Sequence, residues 1–449
     1  MTNSARYSAF TTLLRIEKER SYADILIDRE LREGRLTGPD RGLYTELVYG
    51  TLRRQGTLDH IIAHFSTTPL AKLERAVILL LRLGLYQIFF LDRVPVSAAV
   101  NETVNLAKQA SPRAAGFINA VLRSADRGRD RIPYPDREKE PAAYLASRHS
   151  HPEWIVAGWL AQLGYSEAEE LAAVMASPPP FTIRANRLKN SREELIELLR
   201  AEGVTALPCR YAPDGLVITS PVSLSNLTSF SSGRFVVQDE ASQLATLLLT
   251  PEPGEAILDL CAAPGGKATY LAELGDNSGT LLACDRNPRK LEQISEAAAR
   301  LGITTITTIP LDATRPLSEL QPAQFDRILV DAPCSGLGVI HRNPEGKWWK
   351  EPTDPARLAV TQQTILGNAA ERLKPGGVLL YSTCSTSLEE NEQVVEKFLN
   401  DHRDFVIEPV SALLPRVADM ETSRGFFRSW PHRHGMDGFF AARLKKKLP

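Results

Sequence analysis

Two cysteines directly follow apolar segments that have the composition of buried strands. Cys334 ends Asp331-Ala-Pro-Cys334 after the apolar segment 328–330, and Cys384 ends Tyr381-Ser-Thr-Cys384 after the apolar segment 378–380. Pro, Ser and Thr flank these thiols, and a thiolate at a polar strand end is a nucleophile where nearby positive charge lowers its pKa. Cys209 and Cys284, by contrast, are predicted to be small buried hydrophobic residues.

A glycine pair, Gly265 and Gly266, separates a predicted strand at 256–260 from a predicted helix at 268–274. A strand, a tight turn and a helix N-terminus present free backbone N–H groups to a ligand. Asp285 ends the next apolar run, at the spacing where an acidic side chain binds the hydroxyls of a ribose. The pattern predicts a nucleoside-cofactor site, although the glycine turn alone is equally typical of an ordinary strand–helix connection.

Ligands of open α/β sheets bind at the carboxyl ends of the strands, and several polar residues are predicted to meet there. They are Gly265, Asp285, Asp312, Asp331, Cys334 and Cys384. Cytosine C5 is too weak a nucleophile to attack a methyl donor directly. A thiolate that adds to C6 activates C5 to take a methyl group from S-adenosylmethionine, and loss of the C5 proton then releases the thiolate. Asp331 is placed to hold N3 and the amino group of such a base.

These residues need a regular scaffold, and the second half of the chain predicts one. Strands are expected at 256–260, 280–285, 306–310, 326–330 and 377–382, and helices at 268–274, 288–300, 356–373 and 388–399. This alternation predicts a parallel sheet with helices on both faces. A last strand at 438–444 is expected at an edge of the sheet. Residues 151–250 are predicted to form a small α+β subdomain, with Ser191 and Glu194 as the capping box of one helix.

The front of the chain is predicted to be all-helical over 1–130, and the charged, proline-containing segment 131–150 is expected to be a linker. Residues 1–150 carry 23 Lys and Arg against 17 Asp and Glu, although the whole chain has a net charge of −1. The basic excess favours a polyanionic partner. The following side chains are therefore either an RNA-binding face or ordinary solvated charges: Arg53, Arg54, Arg82, Arg113 and Arg123.

Composition excludes several other classes of protein. The five cysteines are odd in number and show no C-x-x-C spacing, which argues against disulfides and a zinc site. The N-terminus has no signal-peptide pattern, and the most apolar stretch, 77–91, is too short and too interrupted to span a bilayer. A cytoplasmic protein without metal or membrane attachment is expected.

Four motifs resemble those of the RNA cytosine-C5 methyltransferases: Asp259-Leu-Cys-Ala-Ala-Pro-Gly-Gly-Lys267, Asp331-Ala-Pro-Cys-Ser-Gly336, Ser382-Thr-Cys-Ser385 and Asp437-Gly-Phe-Phe440. The front helices resemble the NusB-like RNA-binding domain, and the combination is similar to the bacterial ribosomal RNA small subunit methyltransferase B (Sun/Fmu) group. The resemblance implies an α/β fold, with an S-adenosylmethionine-dependent Rossmann-like domain at 251–449. An all-α NusB-like domain at 1–130 and a small α+β subdomain at 151–250 would precede it.

The resemblance also implies roles for individual residues. Cys384 would be the nucleophile, Cys334 would assist release of the methylated base, and Asp331 would lie between cofactor and base. The implied cofactor-binding residues are Cys261, Ala262, Ala263, Pro264, Gly265, Gly266, Lys267, Asp285, Asp312 and Asp331. The two thiol roles stay open on sequence alone, because DNA cytosine methyltransferases use the Pro-Cys thiol as nucleophile.

The implied substrate is one flipped-out cytosine of 16S ribosomal RNA, naked or in a partly assembled small subunit, and the enzyme is expected to be monomeric. Arg184-Ala-Asn186 and the segment 235–240 resemble family segments that support the RNA side of the cleft. Arg342, Lys347, Trp348 and Trp349 form a segment suited to stack on or clamp a flipped-out nucleotide, and the alternative for Trp348 and Trp349 is that they are core residues. Two other functions stay open: a non-catalytic RNA-binding factor, and a methyltransferase acting on DNA or tRNA.

Overall fold

The computed structural model describes residues 4–34, 36–220 and 222–449. They form two compact units, the first containing the described residues up to Pro178 together with Ile340–Pro352. Its helices are α1 (Ala5–Glu19), α2 (Ala23–Arg32), α3 (Pro39–Arg53), α4 (Gln55–Phe65), α5 (Arg75–Phe90), α6 (Val96–Ala110), α7 (Ala115–Arg127), α8 (Pro141–His149), α9 (Glu153–Leu163) and α10 (Tyr165–Met175). The predicted all-helical front of the chain is confirmed.

Helix α5 is the centre of this bundle, because apolar residues cover every face of it. Leu80, Leu81, Leu83 and Leu85 are all fully buried. A helix that is hydrophobic all round is stable only when other elements surround it. Helices α1, α3, α4, α6 and α7 pack against α5 and provide that cover.

One residue of the expected RNA-binding face belongs to this core instead. Arg82 is 8% exposed, and its guanidinium pairs with Asp59 and Glu17, each at 2.7 Å. Two carboxylates satisfy the buried charge, so Arg82 stabilises the bundle and is not available to RNA. Arg113 and Arg123 are exposed, and their role stays a prediction.

The segment 131–150, expected as a linker, contains helix α8, which packs against α4 and α9. Its apolar residues are few, but Leu145 and Ala146 are buried. Helices α9 and α10 are separate, because Gly164 adopts a φ of 75° between them.

The second unit contains Pro179–Val339 and Thr353–Pro449. It begins with a four-stranded antiparallel sheet of order β2-β3-β1-β4. The elements are β1 (Phe181–Ala185), α11 (Arg192–Ala201), β2 (Ala206–Pro208), β3 (Gly215–Ile218), α12 (Thr228–Ser231) and β4 (Phe235–Val237). The Ser191 side chain caps α11, and the Glu194 carboxylate accepts from the Ser191 N–H at 2.7 Å, so the predicted capping box is confirmed.

An eight-stranded sheet follows, flanked by helices. Its elements are α13 (Glu240–Leu247), β5 (Ala256–Asp259), α14 (Gly266–Leu274), β6 (Thr280–Asp285), α15 (Pro288–Leu301), β7 (Ile306–Pro310), β8 (Phe325–Asp331), α16 (Asp354–Glu371), β9 (Leu373–Thr383), α17 (Glu392–Asp401), β10 (Phe405–Ile407), α18 (Val410–Leu413), β11 (Phe427–Ser429), α19 (Pro431–His434) and β12 (Phe439–Lys446). The strand order is β10-β12-β9-β8-β5-β6-β7, with β11 paired to β12.

Strands β5 to β9 are mutually parallel, so their carboxyl ends share one edge, as the β-α alternation predicts. The expectation that the last strand lies at an edge is wrong. Strand β12 lies between β9 and β10, antiparallel to both. Its residues 439–444 are buried on both faces, which is the burial pattern of an interior strand. No helix within the described ranges is long and apolar enough to cross a membrane.

Candidate active site

The loop between β5 and α14 lies at the shared carboxyl edge of the parallel strands. The Ala262 N–H donates to the Cys284 carbonyl at 2.8 Å, which ties the loop to β6. Gly265 has a φ of 102°, and a Cβ there would lie 3.0 Å from Ile294, so only glycine fits. The first N–H groups of α14 have no acceptor within the helix and suit a polar ligand. The predicted residues Cys261–Lys267 therefore form one loop and one helical turn.

The two predicted cofactor acids on the outer strands lie at the same edge. Asp285 is the last residue of β6, and its Oδ1 accepts from the Asn287 N–H at 2.8 Å. Asp312 follows β7, and its Oδ1 accepts from the hydroxyl of Thr314 at 2.7 Å. The hydrogen bonds from Thr314 lower the pKa of Asp312, so this carboxylate stays charged. Both acids are oriented by their own loops, and Oδ2 of Asp312 also lies 3.9 Å from Nε of Arg315.

Lys267, near the start of α14, contacts the last residue of β8, and the sequence does not predict this contact. Its Nζ lies 2.6 Å from Oδ2 of Asp331, and the Ser382 hydroxyl donates to Oδ1 of Asp331 at 2.8 Å. Burial alone would lower the pKa of Lys267, but the charges of Asp331 and Cys384 raise it. A fixed cation therefore lies near both the carboxylate and the Cys384 sulfur.

The two cysteines predicted at strand ends are in contact. The Sγ atoms of Cys334 and Cys384 are 3.4 Å apart, and both side chains are partly exposed. The hydrogen bond to Cys384, followed by burial, raises the pKa of Cys334 well above its usual value. The high pKa keeps Cys334 protonated, and either sulfur can be the donor in the contact between the two.

Because the sulfurs are so close, mild oxidation should join them. A disulfide needs an S–S distance of about 2.05 Å, which small side-chain rotations can reach from here. Hydrogen peroxide would take two electrons and two protons from the thiols and leave water. We expect a Cys334–Cys384 disulfide in a non-reducing peptide map, reversed by dithiothreitol, while buried Cys209 and Cys284 stay reduced. Separate sulfenic acids on Cys334 and Cys384 would contradict the observed contact.

A buried carboxylate, Glu390, holds the two cysteine loops together. It accepts from the Ser335 N–H at 2.7 Å, from the Ser385 hydroxyl at 2.5 Å and from Gln362 Nε2 at 3.1 Å. Ser335 follows Cys334 and Ser385 follows Cys384, so one side chain fixes both thiols. Glu390 is fully buried, and its bonds are charge-assisted, which makes them stronger than neutral ones.

A backbone contact completes this arrangement. The Gly338 N–H donates to the Cys384 carbonyl, and the Gly438 N–H donates to the Gly338 carbonyl, each at 2.9 Å. A Cβ on Gly338 would lie 1.9 Å from the Gly438 carbonyl oxygen, so the two backbones approach closely only because both residues are glycine. The Pro-Cys motif, the Thr-Cys motif and Asp437-Gly438 therefore form one packed cluster.

Asp259, the last residue of β5, is fully buried beneath the cofactor loop, and neither side-chain oxygen has a hydrogen-bond partner. Burial, with a contribution from Asp331, raises the pKa of Asp259 to about 8. The carboxyl is therefore protonated at neutral pH, and its unused hydrogen-bonding capacity fits a site that takes a polar ligand. Together with the bare N–H groups of α14 and the acids at Asp285 and Asp312, it fits a nucleoside-type cofactor.

The raised pKa of Asp259 predicts a pH dependence of stability. An unfolded Asp releases its proton near pH 4, so between about pH 4 and 8 the folded state binds more protons. The free energy of unfolding should fall as pH rises through this window, by at most about 1.4 kcal/mol per pH unit. Asp259→Asn stays neutral and should remove this slope in urea unfolding between pH 5.5 and 7.5. An unchanged slope in the variant would contradict a buried protonated Asp259.

Arg184, expected on the RNA side, lies inside the second unit. It is fully buried, and it donates to Glu273 at 2.6 Å and to the Gly266 carbonyl at 2.9 Å, with its guanidinium 4.2 Å from the centre of the Tyr270 ring. Arg184 therefore supports the start of α14 from within the protein. Its neighbour Asn186 is also buried.

The cationic and aromatic segment after the Pro-Cys loop belongs to the helical unit. Lys347 is 1% exposed, with its Nζ 3.3 Å from the Arg53 carbonyl. Burial, together with Arg54 and Arg53, holds the pKa of Lys347 well below its usual range. Trp349 packs against the helical core. The interpretation of Trp349 as a core residue is therefore correct, and Lys347 is buried as well.

Family models match three stretches of the chain. The NusB family matches residues 3–127, and the ferredoxin-like domain of RsmF/B-like methyltransferases matches residues 151–225. The model described as 16S rRNA methyltransferase RsmB/F matches residues 246–445. The first stretch contains α1 to α7, the second runs from α9 to β3, and the third contains the strands of the eight-stranded sheet, up to Lys445 of β12.

Similar proteins cover the whole chain. A probable ribosomal RNA small subunit methyltransferase B of Bacillus subtilis is 39% identical over 99% of both chains. The ribosomal RNA small subunit methyltransferase B of Erwinia tasmaniensis is 35% identical over 100% of this chain and 99% of its own. The crystal structure of PH0851 has a TM-score of 0.84, with 28% identity and 99% coverage of both chains. NSun6 from Pyrococcus horikoshii with SFG has a TM-score of 0.58 and 25% identity, over 66% of this chain and 99% of its own. The chain therefore belongs to the ribosomal RNA small subunit methyltransferase B family.

Proposed function

We propose that this protein transfers a methyl group from S-adenosylmethionine to C5 of a cytosine in 16S ribosomal RNA. The observation that carries the proposal is the pair of thiols, Cys334 and Cys384, in contact at the ends of adjacent parallel strands beside the Gly265 loop. Methylation of cytosine at C5 requires a nucleophile that adds to C6 and a base that accepts the C5 proton. The two thiols provide these two groups. S-adenosylmethionine, when bound, supplies an electrophilic methyl group.

Cys384 is proposed to add to C6 of the base. Lys267 places a positive charge near the Cys384 sulfur, and the Cys334 sulfur lies 3.4 Å from it. Addition forms the S–C6 bond and moves the electrons of the C5=C6 double bond toward C5. The target base must leave its stack to reach this sulfur. Asp331, which holds Lys267 and Ser382, is proposed to contact the N3 and amino edge of the base.

Cys334 is proposed to accept the C5 proton after methylation. Its pKa is raised chiefly by the hydrogen bond to Cys384, and that contribution disappears once the Cys384 sulfur is bonded to carbon. Cys334, which is partly exposed, can then release its own proton to water and act as a base. The electrons of the C5–H bond restore the C5=C6 double bond, and Cys384 leaves as a thiolate.

The remaining residues are assigned to binding. We propose that Cys261–Lys267 surround the methionine end of the cofactor, that Asp285 binds its ribose and that Asp312 lies beside its adenine. We further propose that residues 1–130 bind RNA, that 151–250 support the catalytic region and that 251–449 catalyse the reaction. The expected working form is a monomer acting on naked RNA or on a partly assembled small subunit in the cytoplasm.

The test uses purified protein, methyl-labelled S-adenosylmethionine and unmodified 16S RNA, followed by nucleoside mass spectrometry of the digested RNA. Label in 5-methylcytidine is the expected result. Parallel reactions with tRNA, DNA and a protein-bound small subunit establish which nucleic acid is preferred. Label in another nucleoside, or label in none of the four substrates, would refute the proposal.

A further inference from the structure

The helical unit contains an open cleft of about 700 Å³ whose lining is rich in arginine. It lies among the start of α4, the end of α5, residues 129–134 and the end of α8. Its charged lining residues, apart from His149, are three arginines and a single aspartate: Arg54, Arg129, Arg148 and Asp130. The cleft is therefore a cationic concavity, formed within one unit of the protein.

Each of the three arginines is held by an aromatic ring that also lines the cleft. The guanidinium carbons lie 5.1 Å, 5.0 Å and 5.5 Å from the ring centres in the pairs Arg54–Phe90, Arg129–Phe89 and Arg148–Tyr134. A guanidinium over a ring is fixed in orientation, while its N–H groups, at the edge of the plane, remain able to bind an anion. Because an arginine lies over each of these rings, the cleft is better suited to binding phosphates than to stacking bases.

The positive charge of Arg54 and Arg148 is not neutralised locally. Among the residues described, neither arginine forms an ion pair with a carboxylate, whereas Arg82 in the same bundle has two. Arg54 is partly buried, and the positive charge of Arg148 acts on it. A half-buried cation without a counterion is costly, so an anion in the cleft would stabilise the fold.

We propose that this cleft binds the phosphate backbone of a single-stranded segment of the ribosomal RNA substrate, with Arg54 and Arg148 as the phosphate-binding residues. Phosphate contacts provide affinity and position without reading sequence. A single strand is favoured because a loop or an end can bend into a concave cleft. The identity of the RNA rests on the proposed function, whereas the anion-binding site itself rests on the geometry.

The test compares two double variants that remove the same charge. Arg54→Gln with Arg148→Gln alters the cleft, and Arg93→Gln with Arg127→Gln alters exposed arginines of the same unit that do not line it. Binding of the full-length variants to fluorescent unmodified 16S RNA is measured across a salt series, with melting temperatures to verify folding. The single variant Arg148→Gln, at an exposed position, repeats the test without altering a half-buried side chain.

The cleft double variant should bind at least about tenfold more weakly at low salt. The slope of log K against log salt should become shallower by about 0.7 for each phosphate that the variant no longer neutralises. The control pair should change both quantities much less. Equal weakening in the two double variants, or wild-type affinity and slope in the cleft variant, would overturn the proposal.

A methyl-transfer assay distinguishes failure of the cleft proposal from failure of the proposed function. If the wild-type protein labels 5-methylcytidine, the cleft variant should raise KM for RNA about tenfold while kcat at saturating RNA stays near wild type. An unchanged KM with active wild-type protein would refute the cleft alone. Absence of label with the wild type, combined with the predicted weakening of RNA binding, would refute the proposed function and support the cleft.

Discussion

Replacing Cys384 with alanine should lower the rate of methyl transfer by at least about 1,000-fold and should prevent any covalent protein–RNA adduct. Replacing Cys334 with alanine should leave the attack intact and cause the adduct to accumulate. The reason is the asymmetry between the sulfurs, since the Cys334 thiol is held protonated by its hydrogen bond to Cys384 while Lys267 lies near the Cys384 sulfur. Without Cys334 the C5 proton has no acceptor, so the adduct cannot resolve.

The measurement for these variants is denaturing gel electrophoresis of protein mixed with labelled RNA and S-adenosylmethionine. Cys209→Ala is the control for removing a buried thiol, because Cys209 is 6% exposed and follows β2 of the small antiparallel sheet. It should keep activity and form no persistent adduct. A Cys384→Ala protein that still crosslinks, or an adduct that accumulates only when Cys384 is replaced, would reverse the two roles.

Glu390→Gln should lower kcat by about 10- to 100-fold with little change in KM for RNA. The carboxylate accepts hydrogen bonds from residues beside both cysteines, and each bond to a charged group contributes about 1.5–3 kcal/mol. Glutamine offers one carbonyl oxygen and brings an NH₂ group to a place where acceptors are needed. Both thiols would then be misplaced by a fraction of an ångström, which affects the chemical step more than RNA binding.

The neighbouring residue provides a matched control. Glu389 is exposed, and Glu389→Gln makes the same chemical change without touching the cysteine loops. Its kcat should stay within about twofold of wild type. Steady-state kinetics and iodoacetamide labelling of Cys384 are measured for both variants. Equal effects of the two substitutions, or an effect of Glu390→Gln that appears only in KM, would argue against a role in positioning the thiols.

The strand ends of the site could be predicted from sequence because they depend on local pattern. Apolar runs ending at Asp285, Asp331 and Thr383 define parallel strands, and parallel strands place their carboxyl ends together. The contact between Cys334 and Cys384 follows from the pairing of β8 with β9. Regular alternation of strands and helices was therefore sufficient to predict where the two thiols meet.

The supporting contacts could not be predicted in this way, because they join residues far apart in sequence. Lys267 forms an ion pair with Asp331, and Arg184 forms one with Glu273. Glu390 accepts a hydrogen bond from the Ser335 N–H. Sequence spacing carries no signal for such pairs. Helix α17 begins at Glu392, four residues later than the predicted start at 388, because the residues in between form the turn that contains Glu390.

The other differences between the predicted and the observed structure come from tertiary contacts. The segment 131–150 has a charged composition, yet the few apolar residues of α8 are enough to pack it against α4. The position of β12 depends on the short strand β10, which covers its outer side. Arg82 differs from the exposed arginines in being buried, and the carboxylates that compensate its charge, Asp59 and Glu17, lie 23 and 65 residues away in sequence.

The most direct test of the account is peptide mapping of a trapped adduct. RNA carrying 5-fluorocytidine has no C5 proton to lose, so a covalent intermediate formed on it cannot resolve. After reaction of the wild-type protein with this RNA and S-adenosylmethionine, mass spectrometry should find a methylated fluorocytidine bonded to the peptide that contains Cys384. An adduct on the peptide containing Cys334, or methylation without any adduct, would contradict the central claim that Cys384 is the nucleophile.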